Sequence, residues 1–277
     1  MHFRFVTIVL CCAGWMAADR LAAQQPDVRQ LMVEVQKHQH ELDSVRENYT
    51  FTAYETTESL DAAGRVTKTE TAEKEDFFVN GHLIERTVKK NGKVLAGHDL
   101  DEETARVTKL VEKAQRTPRD QPLEHSGQTV SVTRLLEIMD VRNARRVDYH
   151  GRQTIVFDFA GRKDAKTHGL VEDASKKLAG TIWIDEAGRQ VAHLEVRFVD
   201  NFHVAGGLFA NIQKGSSFRF DQSLVNGELW LPTSAEATVQ ARVLLVKGVR
   251  QHFVERDADY KRFRVETQAK DAKPAAK

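Results

Sequence analysis

The mature part of this sequence has no cysteine. Its two cysteines, Cys11 and Cys12, both fall in an apolar stretch near the start. A disulfide framework, a thiol nucleophile and a cysteine-ligated metal are therefore excluded for the rest of the chain. Charge of one sign is lacking too, with 41 Lys and Arg against 40 Asp and Glu. Removing Arg4, Arg20 and Asp19 with a leader leaves 39 of each. A nucleic-acid binder usually carries a basic excess, so this balance argues against one. After the first residues no apolar run is long enough to span a bilayer, which takes roughly 20 residues as a helix.

Catalytic motifs are missing as well. There is no Gly-x-Ser-x-Gly elbow; Gly215-Ser216-Ser217 reads as the entry to a strand. Gly206-Gly207 lacks the Lys-Ser/Thr of a phosphate loop. The 11 histidines are scattered. His38 and His40 are two apart, which on a helix points them away from one another, and no His-x-x-x-His or His-Glu-x-x-His pattern occurs. No catalytic residue, metal site or cofactor is assigned. The basic groups Arg142, Arg145, Arg146 and Lys261, Arg262, Arg264 read as solvated strand faces, with a phosphate or lipid-headgroup site as the alternative.

What is present is an address and an architecture. Met1–Ala23 has a basic start, an apolar run over Phe5–Ala18 and small residues before Gln24, the order of a secretory signal. An uncleaved anchor and a lipoprotein are the alternatives. The expected location is the cell envelope, the periplasm if the source is Gram-negative. Six turn signals follow: Asp61-Ala62-Ala63-Gly64, Asn80-Gly81, Asn91-Gly92, His150-Gly151, Asp185-Glu186-Ala187-Gly188 and Asn226-Gly227. Each is flanked by alternating apolar and polar residues, the pattern of antiparallel hairpins.

Helices are expected over Gln24–Arg46, from apolar residues at near-helical spacing, and over Asp99–Arg116, which opens with acids that suit a helix start. Val132–Met139 reads as a short buried helical turn. Strands are expected over Tyr49–Glu58, Val66–Asn80, His82–Lys89, Ala144–Tyr149, Gln153–Gly161, Gly180–Asp185, Gln190–Asp200, Ser216–Ser223, Glu228–Ala241 and Val249–Glu266. The two middle helices interrupt this series. Lys163–Lys177 is polar and expected to be a mobile loop, and 267–277 a disordered tail. The fold class is α+β, mostly β: one domain over 24–266, built as a strongly curved antiparallel sheet covered by a few helices.

The aromatic and apolar strand faces are the remaining candidate for function. Phe157, Phe159, Trp183, Leu194, Phe198, Phe218, Phe220 and Trp230 are the candidate lining of an apolar ligand cavity. Some of them belong to the ordinary core, because neighbours on a strand face opposite ways.

Gly180-Thr181-Ile182-Trp183-Ile184-Asp185, the turn Glu186-Ala187-Gly188, then Val191 and Leu194-Glu195-Val196, resemble the Gly-x-x-Trp-Ile-Asp hairpin of LolA/LolB-like envelope lipoprotein carriers and their RseB-type relatives. Leu229-Trp230-Leu231-Pro232 and Tyr260-Lys261-Arg262-Phe263 are similar to the same broad group. The resemblance implies an incomplete antiparallel half-barrel lidded by helices, with an apolar cavity for a lipid or lipoprotein acyl chain. Two other classes stay open: an envelope module that binds a protein partner without lipid, and an enzyme with an unmarked site.

Overall fold

The computed structural model describes residues 27–119, 121, 123, 132–204, 210–243 and 247–262. The expected signal peptide, the tail and both domain limits, 24 and 266, lie outside the described residues.

The strands are β1 (Tyr49–Leu60), β2 (Val66–Val79), β3 (His82–Lys90), β4 (Lys93–Val94), β5 (Met139–Tyr149), β6 (Arg152–Gly161), β7 (Leu178–Asp185), β8 (Gln190–Phe198), β9 (Phe202–Val204), β10 (Ala210–Ile212), β11 (Ser217–Val225), β12 (Leu229–Val243) and β13 (Lys247–Arg262). The helices are α1 (Val28–Arg46), α2 (His98–Arg116), α3 (Val132–Ile138) and α4 (Leu170–Ser175). All strands join one antiparallel sheet in the order β4-β3-β2-β1-β13-β12-β11-β8-β7-β6-β5, with β9 and β10 beside β12. The sheet is not closed, since β4 and β5 each have one neighbour in that order.

The hairpins close where the turn residues require. Asn80 and Gly81, Asn91 and Gly92, His150 and Gly151, and Asn226 and Gly227 all hold positive φ, between 49° and 79°. A two-residue type I′ turn needs that geometry at both positions, and Asn-Gly accepts it at low steric cost. Bulges at Thr50/Thr52, Asp221/Gln222 and Trp183/Ile184 add local twist.

The two middle helices do more than interrupt a series of strands. β4 and β5 are consecutive in sequence yet form opposite edges of the sheet, and α2 and α3 lie between them in the chain. α2 is tied to β3 by the Glu103 carboxylate, which accepts the Thr87 N–H at 2.6 Å and the Arg106 guanidinium at 2.7 and 2.8 Å.

Lys163–Lys177 is not a loop throughout. Leu170–Ser175 is α4, and Arg134 of α3 holds its Glu172 through Nε at 3.1 Å and a terminal nitrogen at 2.9 Å. That pair links residues 38 apart in sequence, so polarity alone gives no sign of it. β5 starts at Met139, earlier than expected, and bulges at Asn143, whose φ is 55°.

α1 covers one face of the sheet. Val28, Leu31 and Val35 pack on Ile155, Phe157, Ile182 and Ile184, with Phe159 and Leu194 at the margin. Further along, Leu42 and Val45 pack on Tyr49, Leu229 and Leu231.

Candidate functional site

Strand register builds a continuous row on the face that α1 covers. Phe157 pairs with Ile182, Ile182 with Leu194, Leu194 with Phe220, and Phe220 with Ala235. Ala235 pairs with Glu255, and Glu255 with Glu55. Directly paired residues project from the same face, so this is one row of adjacent side chains. A second row runs beside it: Phe159, Gly180, Val196, Phe218, Ala237, Phe253 and Thr57.

α1 fills the space over the first part of these rows. Past the helix-covered cluster the apolar surface continues into Phe220, half-buried, and Phe218, 38% exposed. Their rings stack at 6.3 Å with 15° between planes. On the other side of the same strands, Thr181, Glu195, Arg219 and Glu236 form a charged row that alternates with this one, and with Arg197 and the strand positions Gly180, Val196 and Phe218 they line a cavity of about 200 Å³.

The rows end in acid. Glu55, Asp76, Glu85, Glu255 and Asp257 act on one another here, and one ammonium, Lys74, bonds Glu55 and, at 2.7 Å, Glu85. Asp76 pairs with Phe51 and with Glu85, and Asp257 with Ala53, which places both on this face. Burial, then the charges of Glu85 and Asp257, push the Asp76 carboxyl up to about 7. Burial, then Glu55 and Glu85, raise Asp257 to about 6. Glu255 rises to about 8 through burial, the charge of Asp257 and its contact with Glu55. Burial works against the Lys74 ammonium, but its two carboxylate partners outweigh that and hold it above the usual lysine range.

The opposite face carries a different cluster. His193 Nδ1 lies 2.6 Å from Asp221 Oδ1, Tyr149 donates its hydroxyl to the same oxygen at 3.1 Å, and Ser234 donates to Oδ2 at 2.9 Å. The Trp183 ring meets His193 edge-on at 4.6 Å. Burial and the Asp221 carboxylate push the Tyr149 phenol up to about 12. Ser234 bonds the acid and not the imidazole, so the nucleophile-to-base link of a catalytic triad is not made here.

The structure thus separates the candidate lining residues. Phe157, Phe159, Leu194, Phe218 and Phe220 share the helix-covered face. Phe198 is at the end of that face, stacked on Phe202 at 6.3 Å, beside a cavity of about 820 Å³ lined by Val199, Phe202, Lys163, Lys176, Lys177 and Asp200. Trp183 lies on the opposite face with His193. Trp230 lies there too, under the Arg152 guanidinium at 5.3 Å, while its neighbours Leu229 and Leu231 point toward α1. The two tryptophans do not belong with the other six, because strand alternation turns them away.

Of the basic groups, Arg142 pairs with Asp140 at 3.3 Å, Arg146 with Glu186 at 3.0 Å and Arg262 with Glu228 at 2.8 Å. They are exposed strand positions with acidic partners. Arg264 lies outside the described residues. Among the described residues no three acidic, histidine or cysteine side chains gather to hold a metal, and no helix is long and apolar enough to cross a membrane.

No family model and no curated protein matches the chain. Solved structures do. Three are similar over most of their length. A LolA superfamily protein from Nitrosomonas europaea is 11% identical, covers 83% of this chain and 94% of its own, and has a TM-score of 0.33. A domain assigned to outer membrane lipoprotein sorting, from Vibrio parahaemolyticus, is 12% identical over 86% of this chain and 95% of its own, with a TM-score of 0.34. A DUF1329 family protein from Desulfovibrio piger is 9% identical, covers 84% and 91%, and has a TM-score of 0.32.

Proposed function

We propose that this chain is an exported cell-envelope protein that holds a lipid, a lipoprotein acyl chain or another apolar ligand on the helix-covered face of its open sheet, and that it catalyses no reaction. The observation that carries the reading is the continuity of the apolar rows. They run from Phe157 and Ile182 under α1 to Phe218 and Phe220 beyond it, where two stacked rings, one of them 38% exposed, continue the apolar surface past the helix-covered core. The export signal and the Gly180–Asp185 hairpin, read from sequence, agree with it.

The energetics are sufficient. Each methylene moved from water to an apolar surface gains about 0.8 kcal/mol, so a chain of ~15 carbons gains ~12 kcal/mol gross. Ordering the ligand takes back a large share. No conspicuous polar residue is needed for affinity of this kind.

Native mass spectrometry of the protein purified from its own envelope, followed by solvent extraction, tests the reading. The expected result is an acyl species at close to one per chain. A clean apo mass, with no uptake of a fluorescent fatty acid, rejects it and directs attention to a protein partner in the envelope.

A further inference from the structure

The carboxyls at the end of the helix-covered face outnumber their cations. Lys74 is taken by Glu55 and Glu85. Asp76 and Asp257 form no ion pair among the described residues, and they are only 4% and 8% exposed. Neither oxygen of Asp257 has a hydrogen-bond partner, nor does Asp76 Oδ1. A buried carboxyl in that condition is costly, and it is relieved by a proton or by a cation that the chain itself does not supply.

The surroundings select the kind of cation. No set of groups here converges on a metal. Phe51, the strand partner of Asp76, has its ring 5.4 Å from that of Tyr260 and 6.3 Å from that of Phe78. Aromatic faces beside carboxylates suit an ammonium, which is attracted to both. A cavity of about 180 Å³, lined by Glu55, Thr57, Ala72 and Lys90, opens next to the cluster. Phe220 and Glu255 are two strands apart in one register row. Asp257 is on the same strand as Glu255, and Asp76 is two strands further, on β2; at roughly 4.8 Å per strand the apolar end is about 10 to 20 Å from the acidic one, which is the scale of one amphiphile.

We propose that the acidic end of this face is a head-group site for a primary amine, so that the ligand is a cationic amphiphile with its chain toward Phe220 and Leu194 and its ammonium against Asp76 and Asp257. This rests on the apolar-ligand reading above and extends it to the head group. The raised carboxyls give the site a pH signature. An amine stays charged up to about pH 9, whereas Asp257, Asp76 and Glu255 lose their protons between about pH 6 and 8. Glu55, Lys74, Glu85 and Tyr260 are the other titratable groups of the cluster, and Glu70 and Lys90 line the cavity beside it. Binding of the ammonium therefore releases protons and strengthens as pH rises through that range.

Calorimetry on the delipidated full-length protein compares dodecylamine with N-dodecylacetamide, which has the same chain and no charge. At about pH 8 the amine is expected to bind at least about tenfold tighter, the scale of one charge-assisted contact. The ratio should shrink toward one at about pH 5. The Asp76→Asn, Asp257→Asn double variant should lose the preference and keep its affinity for the acetamide. Equal binding of the two probes by the native protein overturns the proposal, as does a preference that survives in the double variant. Should the variant fail to fold, the pH dependence of the ratio in the native protein decides.

The two readings fail separately. Acetamide binding without amine preference leaves the apolar site and removes the head-group site. Variant-sensitive amine binding without acetamide binding does the reverse, and binding of neither removes both. Lysophosphatidylethanolamine and a lipopeptide with a free α-amine, each against its N-acetylated form, show which source supplies the amine. Loss of affinity on acetylating either one supports the site, and no loss in both overturns it.

Discussion

Arg152 grips Asp185 with two parallel bonds, Nε to Oδ2 at 2.7 Å and a terminal nitrogen to Oδ1 at 2.9 Å. The Asp185 side chain is 1% exposed, and its Oδ1 also accepts the Gly188 N–H at 2.5 Å. The same guanidinium covers the Trp230 ring. The last residue of the Gly180–Asp185 pattern therefore locks the β7–β8 turn to β6 and β12. Its contacts hold the hairpin together, so the motif's last acid has an architectural role.

Replacing Asp185 by Asn is expected to destabilise the fold by about 2–3 kcal/mol. Breaking a buried ion pair costs about 3–5 kcal/mol, but Arg152 is 37% exposed and recovers part of its hydration. Urea unfolding followed by tryptophan fluorescence reads the shift directly. An unchanged midpoint would mean that the pair does not hold the turn.

Gly180 and Gly92 predict two different costs for the same substitution. A Cβ on Gly180 would sit 2.0 Å from the Glu195 carbonyl oxygen and 2.6 Å from the Phe159 ring. Backbone cannot give way cheaply, so Gly180→Ala should lose about 2–3 kcal/mol through overpacking. Gly92 meets nothing within 4 Å but holds a φ of +75°. Gly92→Ala should lose about 1–2 kcal/mol, from conformation alone. Paired thermal melts test the contrast, which fails if the two variants lose the same amount.

These features differ in how far the sequence reveals them. Asn80-Gly81, Asn91-Gly92, His150-Gly151 and Asn226-Gly227 are legible because turn chemistry is local, and the strands between them follow from period-two alternation. The pairing of β1 with β13 is not legible, since about 200 residues separate the partners Glu55 and Glu255 and no local preference reports it. The acidic cluster depends on that pairing and stays hidden with it. A partial signal exists. Tyr49, Phe51 and Ala53 mark the odd positions of β1 as buried, and Glu55 is the next odd position. The tryptophans mislead for the converse reason. Their size suggests lining, but parity within β7 and β12 turns them to the other face.

Stability should fall as pH rises from about 5 to about 8. Asp257, Asp76 and Glu255 have folded pKa values of about 6, 7 and 8, above their unfolded range. Between the unfolded and folded values the native state binds more protons, so unfolding becomes easier as pH rises. The loss is on the order of 2–4 kcal/mol for groups buried to this degree. His252, raised by Glu236 against burial with help from Glu58, adds in the same direction. The Asp76→Asn, Asp257→Asn variant should flatten the carboxylate part of the curve and leave the His252 part. A profile as steep as the native one in that variant would assign the effect elsewhere.

Glu103 should behave with the opposite sign. The Arg106 guanidinium and the Thr87 N–H, against burial, hold its carboxyl at about 2. Its contribution is fully present above the unfolded carboxylate pKa and is lost as pH falls through about 2. Glu103→Gln is expected to loosen α2 locally, by about 1–2 kcal/mol for the charge-assisted bonds it forfeits. Hydrogen exchange should quicken over 98–116 and along β3, with β7 and β8 unchanged. Uniform quickening over the whole sheet would show that α2 belongs to the global cooperative unit.

Leu31 tests whether α1 competes with a ligand. It is buried between α1 and the Ile155–Phe157 surface, so Leu31→Ala should cost about 2–4 kcal/mol as a core truncation. If an acyl chain lies along Phe157 and Ile182, it takes the place of the α1 side chains, and weakening the helix contact shifts the population toward the open form. Affinity for N-dodecylacetamide should then rise several-fold, by at most the stability lost from the closed form. If the chain instead rests only on Phe218 and Phe220, past the helix, affinity is unchanged while stability still drops. Measuring both quantities on one variant therefore locates the ligand along the row: coupled changes place it under α1, and uncoupled changes place it at the open end.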